Sequence, residues 1–145
     1  MAERKYEKYI SQPEPRQIIA EDDGRVVFNG MMVGKTQLGL NMKIGLQIVS
    51  EPFLNNNPVH THNFHEFLAW YGSNPDDPTD FQAEVVFYMG EELEKYVFTR
   101  PTIVSIPEGL PHAPLEITRV DKPIVQLEIM LLDEGGTREP LLPQK

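Results

Sequence analysis

His60-Thr61-His62-Asn63-Phe64-His65-Glu66-Phe67-Leu68-Ala69-Trp70-Tyr71-Gly72 is the stretch that decides how this chain is read. The sequence holds 4 histidines in all, and three of them fall here, the third followed at once by Glu66. Imidazole is the commonest protein ligand for borderline divalent metals, and in its neutral form it keeps a lone pair for the ion. His60 and His62 are two apart, so on a strand they point to one face. In a straight strand the Cα of Glu66 would lie roughly 13 Å from that of His62. That is too far for both side chains to meet one ion at about 2 Å. A turn is therefore expected at Asn63-Phe64, since asparagine suits a turn. Glu66 then opens the neighbouring antiparallel strand and faces back to the two histidines. On that strand Glu66, Leu68 and Trp70 share one face, while His65, Phe67 and Tyr71 share the other. His65 is thus expected to lie outside the ligand set.

The remaining histidine, His112, follows Pro107-Glu108-Gly109-Leu110-Pro111. Proline and glycine there predict a tight turn that delivers His112 at the start of a strand. Three histidines and one carboxylate around one ion leave one or two octahedral positions open. Open positions mark a catalytic site more than a structural one.

Further from this centre the sequence reads as strands. Residues 44–49, 66–71, 84–89, 94–99, 101–106 and 124–132 are short runs rich in Val, Ile, Phe and Tyr, bounded by turn residues. The 13 prolines and 10 glycines are scattered along the chain, which long helices do not tolerate. Spacing of about 10 residues per strand and turn points to an all-β antiparallel sandwich or barrel. Residues 1–20 are expected to form a short N-terminal arm, helical or extended. Residues 21–132 are the barrel, and residues 133–145, rich in Gly, Pro and charge, a flexible tail.

His60-x-His62-x3-Glu66, with Gly72 after it, resembles the first motif of the cupin family, and Pro107-x-Gly109-x2-His112 resembles the core of the second. Pro101 stands where the second motif usually opens on glycine, and Glu116 where it usually closes on asparagine. The resemblance covers roughly residues 40–132. It implies a six- to eight-stranded antiparallel jelly-roll barrel with a metal in its mouth, held by His60, His62, Glu66 and His112. It also implies small-molecule chemistry in the barrel: a metal-dependent dioxygenase, isomerase, lyase or decarboxylase acting on an oxygenated organic molecule. The alternative is a non-catalytic ligand-binding or sensor domain. The metal would be Fe, Ni, Mn or Zn, since this ligand set does not select among them. No other cofactor is expected, and a homodimer is, because cupins often pair through edge strands.

Two residues are singled out beside the ligands. Glu116 shares strand parity with His112, so it is expected to point inward as a general acid or base. Gln47 points away from the apolar face of Ile44, Leu46 and Ile48, where it can hydrogen-bond an oxygen of a bound ligand. Trp70 is expected to line the interior, and packing is the plainer reading of it. Gly34-Lys35-Thr36 resembles the end of a phosphate-binding loop, but the glycine that motif needs five residues earlier is Asn29. Arg100, Arg119 and Lys122 stand beside turns, where exposed cations are ordinary.

Composition bounds the rest. The 145 residues make one domain, and the absence of cysteine excludes disulfides and thiolate sites. Thirteen basic against 22 acidic residues give a net charge of −9. That argues against nucleic-acid or anionic-membrane partners, which need a basic face. No apolar run is long enough to span a bilayer. Residues 1–8 are charged and lack the apolar stretch of a secretory signal, so a cytoplasmic location is the expectation.

Overall fold

The computed structural model describes residues 4–19, 26–55, 57–132 and 138–140. Twelve strands are described: β1 (Pro15–Ile19), β2 (Val26–Val33), β3 (Met42–Val49), β4 (Phe53–Asn55), β5 (His60–His62), β6 (His65–Tyr71), β7 (Ala83–Met89), β8 (Glu94–Phe98), β9 (Thr102–Ile106), β10 (His112–Val120), β11 (Ile124–Leu131) and β12 (Arg138–Pro140). A 3-10 turn (Glu7–Tyr9) precedes them. A single helical turn α1 (Lys35–Leu38) follows Gly34 and is closed by Gly39 in the left-handed region, φ 70°. One turn is too little helix to cradle a phosphate, so Gly34-Lys35-Thr36 is a chain reversal between β2 and β3. Among the described residues no helix is long and apolar enough to cross a membrane.

The strands form two antiparallel sheets that face each other. The first runs β1-β2-β3-β11-β6-β9 and the second β12-β5-β10-β7-β8, with β4 paired to β10. This is the all-β antiparallel architecture expected from the strand pattern, and the jelly roll that the cupin resemblance implies. The tail of the expected arm, Pro15–Ile19, is the edge strand of the first sheet, in register with β2 from Pro15↔Met31. Of the expected C-terminal tail, Arg138–Pro140 pairs with β5, and residues 133–137 and 141–145 lie outside the described residues. The strand β2 is absent from the sequence reading. Gly30 sits mid-strand, where a Cβ would meet the Leu46 carbonyl oxygen at 2.5 Å.

Between the sheets the apolar residues gather toward one end. Trp70, Phe81, Phe87, Ile106, Ile117 and Ile124 are almost fully buried there. Each such side chain contributes roughly 1.5–3 kcal/mol by leaving water. Toward the other end the inner face of the first sheet turns polar. Its cross-strand rows read Gln47–Gln126–Trp70, then Gly45–Glu128–Leu68, then Lys43–Met130–Glu66. This gradient leaves a cavity at the polar end, and the candidate site lies in it.

The outer face of the same sheet reverses the usual pattern. Ile44, Ile129 and Phe67 stand in one row there, and Ile48, Val125 and Tyr71 in another. Leu46 and Ile48 are 47% and 49% exposed while Gln47 between them is buried. On β3 and β11 the polar residues Gln47, Gln126 and Glu128 therefore point in, beside the buried Val49 and Ile124, and Leu46, Ile48, Leu127 and Ile129 point out.

Candidate metal centre

The turn at Asn63-Phe64 exists as the spacing requires, between β5 and β6. It does more than the sequence predicts, however. β5 belongs to the second sheet and β6 to the first, so Glu66 is not on a strand paired with the histidines. The chain crosses from one sheet to the other, and Glu66 faces His60 and His62 across the gap. His112 is the direct partner of His60 in the β5–β10 pairing. The turn before it is tied to the same place. Gly109, at φ 81°, donates its N–H to the carbonyl of His62 at 2.9 Å, and Gly90 donates to the carbonyl of Pro111 at 2.8 Å. These bonds fix His112 relative to His62 through main-chain atoms alone.

All four side chains are buried: His60 and His62 are 6% exposed, Glu66 4% and His112 3%. One ligand atom from each of His60, His62 and His112 lies within 4.8 Å of the others. Nδ1 of His60 donates to the carbonyl of Pro58 at 2.8 Å, and Nδ1 of His112 to that of Leu110 at 2.9 Å. A neutral ring that donates through Nδ1 carries its lone pair on Nε2. Such main-chain anchoring is how metal-binding histidines are oriented. Nε2 of His112 stands 3.4 Å from Oε2 of Glu66, and Nε2 of His62 stands 2.8 Å from the same oxygen. An imidazole lone pair facing a carboxylate oxygen, both buried, calls for a cation between them. Nδ1 of His62 is likewise buried and without a hydrogen-bond partner. The three histidines can therefore hold a divalent ion, with the donor chemistry of a borderline metal.

Burial alone would raise the Glu66 carboxyl, but the His112 and His62 rings beside it outweigh that and hold it down at about 2. Glu128 goes the other way. Burial, and then the charge of Glu66, push it up to about 7, against the pull of Arg16 and Lys43. The sequence reading missed Glu128. The available signal was parity: Glu128 shares a face of β11 with Gln126 and the buried Ile124.

A cavity of about 280 Å³ opens over the cluster, lined by the three histidines, Glu66, Glu128 and Lys43 among others. A second lobe of about 280 Å³ shares Lys43, Asn55, Asn57, Gln126, Glu128 and Met130 with it and adds Arg16 and Gln47. Gln47 is thus inward, as its parity suggests, but it lines the second lobe and not the wall around the histidines. Its Oε1 accepts from Gln126 Nε2 at 3.4 Å, and Gln126 Oε1 accepts from Trp70 Nε1 at 2.6 Å. Trp70 packs on Phe87 and Phe98, so it is core.

Glu116 requires a correction. It does not line either lobe, and Leu115 and Ile117 point inward in its place. The register of β10 shifts between His112 and Leu115, with Ala113 at φ 95°. The bulge flips the alternation, so parity with His112 no longer places a residue inside. His65 points outward and its Nε2 lies 2.6 Å from Ser105 Oγ, outside the cluster as expected.

No protein-family model and no curated protein sequence matches the chain. Solved structures do match its fold. A structure of DMSP lyases is 14% identical with a TM-score of 0.55 over 90% of this chain and 63% of that one. The polyketide cyclase RemF from Streptomyces resistomycificus is 12% identical with a TM-score of 0.56 over 100% of this chain and 89% of that one. The FeII form of HppE is 12% identical with a TM-score of 0.52 over 82% of this chain and 56% of that one. This chain therefore spans less than two thirds of the DMSP lyase and of HppE. All three are cupin-fold proteins. The fold of this chain is the cupin jelly roll, and three histidines able to hold a metal ion are gathered between its two sheets.

Proposed function

We propose that this protein is a metal-dependent enzyme acting on a small, anionic, oxygenated organic molecule, with His60, His62, His112 and Glu66 as the ligands of one divalent Fe, Ni, Mn or Zn ion. The observation that carries the reading is the convergence of three buried imidazoles, two of them fixed through Nδ1 by the carbonyls of Pro58 and Leu110. When bound, such an ion supplies a Lewis acid for an enolate, hydroxy-ketone or carboxylate oxygen, and iron adds redox chemistry with dioxygen.

The chain's own residues do the rest. The paired lobes confine a ligand between the sheets, and Phe64, Leu68, Phe87 and Leu115 make the wall around the cluster apolar. Lys43 and Arg16 are the basic residues lining the lobes. Together with a divalent ion they outnumber the two carboxylates, Glu66 and Glu128. The cavity is then locally positive inside a chain of net charge −9. A low-dielectric cleft of that sign draws in an anion. Asn55 and Asn57 offer amides to the same ligand, and Gln47 offers another at the far lobe. In this reading the chain also works as a homodimer, and neither nucleic acid nor membrane takes part.

The test is metal content of protein purified without chelators, followed by turnover. The wild type is expected to carry about one ion per chain. His60→Ala, His62→Ala and His112→Ala are expected to lose it, each weakening affinity at least about 100-fold. Equal metal content in all four proteins would overturn the reading. Loaded protein should then consume oxygen or transform a small hydroxy- or keto-acid. Tight binding of such acids without turnover would favour the non-catalytic alternative.

A further inference from the structure

We infer that the second lobe is a subsite for the far end of the substrate, where Arg16 and Gln47 hold a second carboxylate, so that the substrate class is an oxo- or hydroxy-acid with an acid group at each end. The inference rests on the function proposed above, which places the near end of the molecule at the ion. Two cross-strand rows of the first sheet make the inner wall of this lobe. One runs Arg16, Gly30, Gln47, Gln126 and Trp70, each in register with the next. The other runs Met32, Gly45, Glu128 and Leu68. A glycine stands in each row. Glycine weakens a strand interior and marks a place where another backbone or a ligand comes close. Gly30 has a backbone reason, the Leu46 carbonyl oxygen. Gly45 has none. Around its missing Cβ lie only side-chain ends, Gln47 Nε2 at 2.9 Å and Glu128 Oε2 and Met32 Cε at 3.5 Å. The absent side chain leaves a cradle between an amide, a carboxyl and a thioether.

The polar groups around the cradle are short of partners. Gln47 is 8% exposed, and its Oε1 accepts from Gln126. Its Nε2 has no acceptor among the described residues. An N–H left over on a side chain this buried is costly, and a ligand oxygen removes the cost. Arg16 stands at the solvent-exposed rim, in register with Gly30, which has no side chain to block it. Its Nη1 meets the Met32 sulfur at 3.4 Å, a weak acceptor. Among the described residues no carboxylate pairs with it, although its charge reaches Glu128. A guanidinium offers a planar fork of donors that matches a carboxylate.

The two lobes are continuous, since residues such as Lys43, Asn57 and Met130 line both. One molecule can therefore reach from the histidines to Arg16. Glu128 marks the passage: its carboxyl is hydrogen-bonded to Glu66 on one side and borders the Gly45 cradle on the other. An acid with one polar end, held at the ion, would leave the Gln47 amide and the Arg16 fork unused. An acid with two ends engages both.

Isothermal titration calorimetry on the full chain, its metal content measured first, tests the inference. The probes are α-ketoglutarate, α-ketoadipate and α-ketopimelate, each set against the keto acid of equal length that lacks the far carboxylate. The wild type should bind at least one diacid about 10-fold or more tighter than its match, as a charge-assisted bond at a rim allows. In Arg16→Gln that ratio should fall to near one. Gly45→Ala is a second measure: its methyl group takes the space beside Gln47, whose amide end can swing aside, so the chain folds and the ratio falls as well. An unchanged circular dichroism spectrum will show that both variants fold. Equal binding of diacids and their matches by the wild type overturns the inference, and so does a preference that survives either variant. Failure to bind any of these acids overturns it together with the anionic substrate. Metal content keeps the two readings apart. Protein that carries its ion and shows no preference loses only the subsite, whereas a preference that depends on Arg16 in protein without an ion keeps the subsite and overturns the metal centre.

Discussion

His112 shows how its surroundings hold one candidate ligand in place. Its ring is fixed at Nδ1 by the Leu110 carbonyl, and its main chain is fixed by the Pro107–Leu110 turn that Gly109 ties to His62. The side chain then has no freedom to leave the cluster, and its lone pair points at Glu66. The same cluster sets the titration of the two interior carboxyls. Glu66 lies below its ordinary value of 4.5, at about 2, so the stability it contributes is present above pH 4.5 and is lost as pH falls toward 2. Glu128 lies above 4.5, at about 7, so its contribution is full below pH 4.5 and is lost as pH rises to about 7. The metal-free protein should therefore lose stability to urea between pH 4.5 and 7. Glu128→Gln, which cannot ionise, should flatten that slope. A slope unchanged in the variant would show that Glu128 is not the group responsible.

At the scale of elements, glycine and the bulge decide what the strands present. Gly72 follows β6, and a Cβ there would collide with the backbone oxygen of Asp80 and press on Phe81 at 3.1–3.2 Å. Backbone cannot yield as a side-chain tip can, so the 73–80 loop would have to move. Gly72→Ala is expected to cost about 1–3 kcal/mol in urea unfolding. A loss below roughly 0.5 kcal/mol, the range of ordinary surface changes, would mean that the loop gives way freely. The bulge of β10 acts in the opposite sense. It lets His112 and Leu115, three residues apart, both face inward, and it turns Glu116 out. Pro114 inside the run was the sequence sign of it, because proline cannot donate to a ladder and is confined to edges and bulges.

At the scale of the molecule, the site joins the two sheets. His60, His62 and His112 belong to one sheet and Glu66 to the other, so an ion held by all four clamps the jelly roll at its open end. An ion bound only by the folded chain stabilises it by mass action. Free metal at about 100 times its dissociation constant is worth about 2.7 kcal/mol, or about 5–10 °C for a domain of this size. Chelation is expected to lower Tm by that amount and re-addition to restore it. A shift under about 1 °C would mean that the cluster does not clamp the sheets.

Much of this was legible from the residues alone. The strand runs, the turn after His62 and the outward place of His65 follow from local spacing, since a period of two and a fixed rise per residue hold in any strand. The gathering of Glu66 and His112 with His60 and His62 was implied by the cupin resemblance and does not follow from local spacing. Tertiary structure alone decided which sheet each strand joined, that Glu66 reaches its partners across the barrel, and that β3 and β11 turn their polar residues inward. It also placed Glu128 in the cavity and took Glu116 out of it. The physical reason is that alternation names two faces without saying which one is buried. Only the packing of one sheet against the other, and a single bulge that resets the count, supply the answer.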